Sequence, residues 1–396
     1  MSAFDEIMAE RTARGSNIIH ACITTAIDKN GKELFFKALG YNGVGPDAPP
    51  VDPNATFWIA SCTKLIGTIA ALQCVERGQI TLDEPVENVL PELANPGILN
   101  PGPDGTGWDP AFATTPAKTK ITLRHLLTHT AGLAYDRSHP ALAAWRFSRG
   151  EDLIGISGSC VKAHTLPLLY EPGEGWSYGG GIDWAGELVA RLNNTTLEEY
   201  LQENMFKPLR MTSTTFRLEK RPDIKARLLK TVERVDGALK DSVKLWPDRA
   251  AEDCGGAGLY TSVTDFVKVL HDLIRDEPTL LMKETVENEM FHAHFAPDSA
   301  TLRKLTASAD IVAAMTKTTE TKGINYGLGG MYAEGAVGTV PKGTLVWGGL
   351  PNLVWFMNRE KGVAAFFATQ VLPPGDRQCG ELVGEVVEEV FRHSIA

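Results

Sequence analysis

Two side chains in the segment FWIASCTKLIGTIAALQCVERG, residues 57–78, can do chemistry together. Ser61 and Lys64 stand three residues apart, a spacing that puts both on one face of a helix. A serine hydroxyl is a weak nucleophile until a neighbouring base takes its proton. Lysine can be that base where burial or nearby cations favour its neutral form. Residues 65–75 are apolar almost all round, which predicts a buried helix. The first turn of such a helix presents free N–H groups and the positive end of the helix dipole. Both favour the oxyanion that forms when a serine attacks a carbonyl. Taken alone, Ser-x-x-Lys also fits a capping serine followed by a surface lysine. Cys62 adjoins the serine but is expected to point to a different face of the helix.

Three further stretches supply the rest of such a site. In YEPGEGWSYGGGIDWAGELV, Tyr178 stands just before a predicted helix, where a phenol can relay a proton to a leaving group. In LVWGGLPN, Gly348 and Gly349 end a predicted strand and let the backbone approach a ligand closely. The Leu350 N–H is then the second candidate oxyanion donor beside that of Ser61. In RHLLTHTAGL, His125 and His129 are four apart, but no acidic third ligand stands nearby as in zinc sites. Structural hydrogen bonding is expected of them instead. The chain has no G-x-S-x-G elbow, no Walker A motif and no dinucleotide fingerprint after a strand.

The elements that must hold these residues are legible in outline. A helix over residues 4–13 precedes two β-rich runs around the turn Asp28-Lys29-Asn30-Gly31, a hairpin pattern. The Ser61 helix follows, with Gly78 as its stop. Residues 85–120, rich in Pro, Gly and Asn, read as a long surface excursion. Thr122 caps a short helix over LRHLL, and residues 183–192 are helical. Thr196 with Glu199 makes a capping box before LEEYLQENMF. A helix runs from near Ser262 to Arg275. GTLVWGG, NLVWFMN and GVAAFFATQ are strands, and residues 379–393 form a closing helix. The order predicts an α+β fold. Residues 1–80 and 250–396 are expected to build a sheet domain, and residues 81–249 a mostly helical one.

Composition narrows the function. Apolar residues make up 43% of the 396 and charged residues 22%, ordinary for a chain with a large core. A formal net charge of −10 argues against nucleic-acid or anionic-membrane partners. No stretch approaches the roughly 20 apolar residues of a membrane span. The opening MSAFDEIMAERTARG lacks the apolar centre of a secretory leader, so a cytoplasmic protein is expected. The six cysteines are scattered without a CxxC pair and read as reduced thiols.

Together SCTK, LRHLLTHTAGL, EPGEGWSYG and WGGLPN resemble the class C β-lactamase-like serine enzymes, especially their esterase and transesterase branch. The resemblance runs from about residue 55 to 370. KLIGTIAALQCVERGQITLDEPV, YLQENMFKPL, RPDIKAR and IDWAGELV are similar to the fungal lovastatin-acyltransferase members. The resemblance implies a penicillin-binding-protein-like fold, an antiparallel sheet flanked by helices, with the site in the cleft between the two domains. It implies Ser61 as nucleophile, Lys64 as its base and Tyr178 as third catalytic residue, with no metal or organic cofactor. Trp347-Gly348-Gly349 sits where the lactam enzymes have Lys-Thr-Gly, and Tyr178-Gly179-Gly180 where they have Tyr-x-Asn. Loss of the cation and of the amide argues for apolar acyl esters rather than β-lactams or D-alanyl peptides, and Trp347 offers an apolar face. The expected function is transfer of an acyl group from an ester or thioester to a small-molecule alcohol, in fungal polyketide metabolism. An acyl-carrier protein domain as donor is implied by the resemblance alone. The alternatives are a purely hydrolytic carboxylesterase and, further off, a β-lactamase, a peptidase or a catalytically silent binding protein.

Overall fold

The computed structural model describes residues 2–316 and 318–393. The Asp28 carboxylate accepts the N–H groups of Asn30 and Lys32 and closes the first hairpin. Its strands, Ala21–Asp28 and Glu33–Gly40, join five from the C-terminal third in a seven-stranded sheet. The order is Glu33–Gly40, Ala21–Asp28, Val363–Ala368, Leu353–Asn358, Thr344–Gly349, Gly330–Ala333 and Ile324–Gly327. Every neighbouring pair is antiparallel. The fold is α+β, as expected.

Leu353–Asn358 and Val363–Ala368 are buried at every position because helices cover both faces of the sheet. Trp355 pairs with Phe366, and Phe356 with Ala365. Adjacent residues of a strand face opposite ways, so Phe366 and Phe356 lie on opposite faces. Phe366 meets Phe266 of the Val263–Ile274 helix at 4.4 Å between ring centroids. Phe356 meets Phe391 of the Arg377–His393 helix at 5.6 Å. Each buried phenylalanine of this kind contributes about 1.5–3 kcal/mol.

The Thr63–Glu76 helix is buried from Thr63 through Cys74. Gly78, at φ 69°, ends it in the left-handed region, and the Gln79 N–H reaches back to the Cys74 carbonyl. Its flank at Gly67 lies against the backbone of Gly255. A methyl at Gly67 would stand 2.7 Å from the Gly255 carbonyl oxygen, so only glycine allows this approach.

Thr122 and Thr196 cap Leu123–Leu127 and Leu197–Leu201 as expected. The excursion over residues 85–120 contains a short ribbon, Gly97–Leu99 with Thr114–Pro116. The middle segment also carries a hairpin that was not anticipated, Val232–Val235 with Ala238–Asp241. Its turn is Asp236-Gly237, both at positive φ, the pair that a type I′ turn requires. Val371–Leu372 joins this hairpin in parallel. Among the described residues, no helix is long and apolar enough to cross a membrane.

Candidate active site

Ser61 lies in a single 3₁₀ turn, Ala60–Cys62, between the Thr56–Trp58 strand and the buried helix. Ala60 takes φ 45°, in the region that side chains disfavour. Such strain costs on the order of 1–3 kcal/mol and persists only where the surroundings enforce it. Here the strand, the 3₁₀ turn and the helix turn the chain sharply and bring Ser61 to the wall of a cavity. Lys64, one turn on, is 0% exposed. Its Nζ donates to the Gly256 carbonyl at 2.8 Å, the Tyr135 hydroxyl at 2.9 Å and Ser61 Oγ at 3.4 Å. No carboxylate pairs with it among the described residues. Gly256 is fixed in turn by its N–H, which donates to Asp183 Oδ1 at 2.9 Å.

Tyr178 turns its ring to the lysine, 4.7 Å from Nζ to the ring centroid. Its hydroxyl is buried and has no partner among the described residues. His129, Tyr135 and Trp347 surround the ring at centroid distances of 4.9, 5.4 and 5.2 Å. Tyr135 is the residue that sequence reasoning missed. Desolvation, and then the Asp183 carboxylate, hold its phenol well above the ordinary tyrosine value. It therefore meets Lys64 as a neutral hydroxyl. Its position in HTAGLAYDR, on a different segment from both Ser61 and Tyr178, carries no spacing cue that would have marked it.

The Tyr178-Gly179-Gly180 triplet has no room for an amide. A side chain at Gly180 would begin inside the His164 ring, and one at Gly179 would stand 2.6 Å from Ala134 Cα. Gly349 serves a different close approach. A methyl there would overlap the Ile59 carbonyl oxygen, two residues before Ser61. A methyl at Gly348 would stand 2.6 Å from the Leu353 carbonyl oxygen. The bare backbone lets the end of Thr344–Gly349 sit against the Ser61 turn, with Leu350 beside it. Among the described residues no carbonyl takes the Ser61 or the Leu350 N–H.

Ser61, Tyr135, Tyr178, Trp347, Gly348, Gly349 and Leu350 line one cavity of about 540 Å³, with Lys64 beneath its wall. The size suits a small-molecule ligand. The remaining wall is chiefly apolar: Trp58, Ile156, Ile311, Met315, Leu353 and Val383. Trp347 is 2% exposed and lines the cavity, its ring 5.2 Å from that of Tyr178. Trp176, Trp184 and Trp355 stand near the motifs in sequence, but none lines the cavity. Trp176 stacks behind Tyr178, Trp184 donates to the His164 carbonyl, and Trp355 is the cross-strand partner of Trp347. Trp58, three residues before Ser61, lines it instead, and that proximity in sequence was the available cue.

The histidines divide. His125 Nδ1 accepts the Thr122 N–H at 3.3 Å and completes a cap. His129 departs from the hydrogen bonding expected of it. Neither ring nitrogen has a partner among the described residues, and the ring packs between Trp176, Tyr178 and Tyr326. Burial and then the Lys64 charge push it well below the ordinary histidine value, so it packs as a neutral ring. Cys62 is fully buried, and burial raises its thiol far out of the nucleophilic range. The group able to hold a metal lies elsewhere, at Cys160, Asp183 and Cys254, whose ligand atoms are within 4.8 Å of one another. Its thiols must lose protons to bind one. The Cys160 thiol is raised well above its ordinary value by its hydrogen bond with the free Cys254 thiol and by burial.

The whole chain matches a known pattern. The family model described as Beta-lactamase matches residues 4–388. Monacolin J acid methylbutanoyltransferase of Aspergillus terreus is 35% identical, covering 98% of this chain and 94% of its own. Lovastatin esterase of Penicillium rubens is 34% identical, covering 95% and 94%. The solved structure of unliganded simvastatin synthase (LovD) from Aspergillus terreus superposes with a TM-score of 0.83 at 31% identity, covering 100% of this chain and 99% of that one. On both the family model and these relatives, the chain belongs to the Beta-lactamase family.

Proposed function

We propose that this protein is a serine acyltransferase that moves an apolar acyl group from an ester or thioester to a small-molecule alcohol. Ser61 is the nucleophile and Lys64 its base. The observation that carries the reading is the contact of Lys64 Nζ with Ser61 Oγ, 3.4 Å, at the wall of an apolar cavity. Ser61 Oγ attacks the acyl carbonyl carbon, and its proton passes to Lys64. The carbonyl electrons move onto oxygen, where the N–H groups of Ser61 and Leu350 receive the charge. Collapse breaks the bond to the leaving alkoxide or thiolate, which takes a proton from the Lys64–Tyr178 pair. An acceptor alcohol then gives its proton to that pair and attacks the acyl-serine carbonyl. Ser61 leaves and regains its proton.

A division into two domains is part of the same proposal. Residues 1–80 with 250–396 form the sheet domain, and residues 81–249 the helical one. Ser61 and Leu350 come from the first, Tyr135 and Tyr178 from the second, and all four line one cavity. A carrier-bound thioester is the proposed donor and fungal polyketide metabolism the proposed setting; the name of the Aspergillus terreus methylbutanoyltransferase supports acyl transfer to a small acid. Six free cysteines support a cytoplasmic site of action.

A second reading, hydrolysis, is favoured by the relative named lovastatin esterase. It differs only in that water deacylates Ser61. Intact-mass measurement after incubation with medium-chain acyl thioesters tests both readings. One added acyl group is expected, absent in Ser61→Ala, with partition toward transfer as an added alcohol rises. No adduct on the wild type would sink the acyl-enzyme reading. An adduct lost to water alone, whatever the alcohol, would leave the esterase.

A further inference from the structure

The cavity has one attractive pole. Its charged lining residues are Arg137 and Asp310, both exposed at its rim. Arg137 offers five N–H donors in a planar fork. One nitrogen, Nη2, donates to the Leu153 carbonyl at 3.2 Å, and no carboxylate pairs with the guanidinium among the described residues. The charges around it are spent on one another. Its neighbour Asp136 is turned inward, where it accepts the Ile154 and Gly155 N–H groups and faces Arg146 at 3.3 Å. Glu151 takes Arg146 and Arg149. The two loops are thereby stitched together under Arg137, and its side chain is held at the rim with most of its donors free. Ser138, beside it, also lines the cavity. Asp310 repels an anion from its own side of the rim, which leaves Arg137 as the place for one. A guanidinium fork matches a carboxylate or phosphate by two parallel hydrogen bonds.

We propose that Arg137 anchors an anionic oxygen group of the substrate, so that the enzyme selects amphipathic anions whose apolar body fills the cavity while the charge stays at the rim. The inference rests on the acyl-transfer reading above. The anionic group has two sources of the same chemistry: a carboxylate on the acceptor alcohol, or the phosphate of a pantetheine-linked donor.

The test compares wild type with Arg137→Met and Arg137→Lys in two matched pairs. One pair is an ω-hydroxy fatty acid and its methyl ester as acceptors. The other is a coenzyme A thioester and the phosphate-free N-acetylcysteamine thioester of the same acid as donors. Arg137→Met should raise KM for the anionic member of one pair roughly tenfold or more, the scale of a lost charged contact. Its kcat and the neutral member should stay near wild type, and Arg137→Lys should fall between. An effect on the acceptor pair assigns the carboxylate, and one on the donor pair assigns the phosphate. Equal KM values for wild type and Arg137→Met on both anionic members would overturn the proposal. Acylation of Ser61 by the neutral thioester is the separate reading. If it persists while Arg137 proves silent, only the anion anchor fails. If it is absent, the acyl-transfer function fails first.

Discussion

Lys64 Nζ stands nearer the Tyr135 hydroxyl, at 2.9 Å, than Ser61 Oγ, at 3.4 Å. The base is held by a phenol and by the Gly256 carbonyl rather than by a carboxylate. Two tyrosines thus share the lysine: Tyr135 through its hydroxyl, Tyr178 through its ring face.

That division sets the first prediction. Tyr178→Phe removes the hydroxyl left free in the cavity and should lower kcat by roughly 10²–10⁴-fold, the usual scale for a general acid–base group. Tyr135→Phe keeps that hydroxyl but frees Lys64, and should cost about tenfold to a hundredfold, the scale of leaving a buried polar group without its partner. Burst kinetics with a chromogenic ester separate the two. Equal losses would mean that Tyr135, too, transfers a proton.

A methyl at position 349 has nowhere to go. Gly349→Ala must push the strand end away from the Ile59 carbonyl and carry the Leu350 N–H from the Ser61 turn. The expected loss in kcat is about 10²–10³-fold, as for one missing oxyanion donor, with a lower Tm. Unchanged activity in the folded variant would remove Leu350 from the oxyanion site.

Substrate class is the third matter. An apolar cavity gains about 0.8 kcal/mol per buried CH₂, so kcat/KM should climb along a thioester series from short to medium chains. A chromogenic cephalosporin should react poorly. Trp347→Lys should weaken the ester reaction by burying a charge, and should not create a β-lactamase, since Gly180 has no space for the missing amide. A flat chain-length series, or a wild-type preference for the cephalosporin, would return the protein to the lactam branch.

Stability should fall on mild acidification. Burial lowers the His20 pKa from 6.5 to about 4, although its Nε2 reaches the Lys230 carbonyl at 3.1 Å. A depressed folded pKa means that the unfolded chain takes up the proton first. The contribution is therefore present above about pH 6.5 and is lost as pH falls toward 4. His20→Gln should flatten the dependence of Tm on pH in that window, read by calorimetry. A wild-type slope retained in the variant would assign the acid loss to other groups, such as His129 and His164.

Local rules wrote much of this protein into its sequence. Ser61 and Lys64 share a face because helix geometry alone fixes a three-residue spacing. Thr122, Thr196 and Gly78 mark helix ends because capping needs only a few neighbouring residues. The strands around Trp347, Trp355 and Phe366 read as unbroken apolar runs because both of their faces are covered. The hairpin at Asp236-Gly237 also obeyed a local rule, yet its short flanking runs masked it. What only the tertiary structure decided is which distant segments meet. Tyr135 reaches Lys64 across 71 positions of sequence, and Cys160 reaches Cys254. Trp176 and Trp184 flank Tyr178 in the sequence, yet neither lines the cavity. Contacts of this kind depend on how whole elements pack, through glycines at positions 67, 255 and 349 that admit backbone to backbone. No periodicity along a single strand or helix encodes the residue on the facing element.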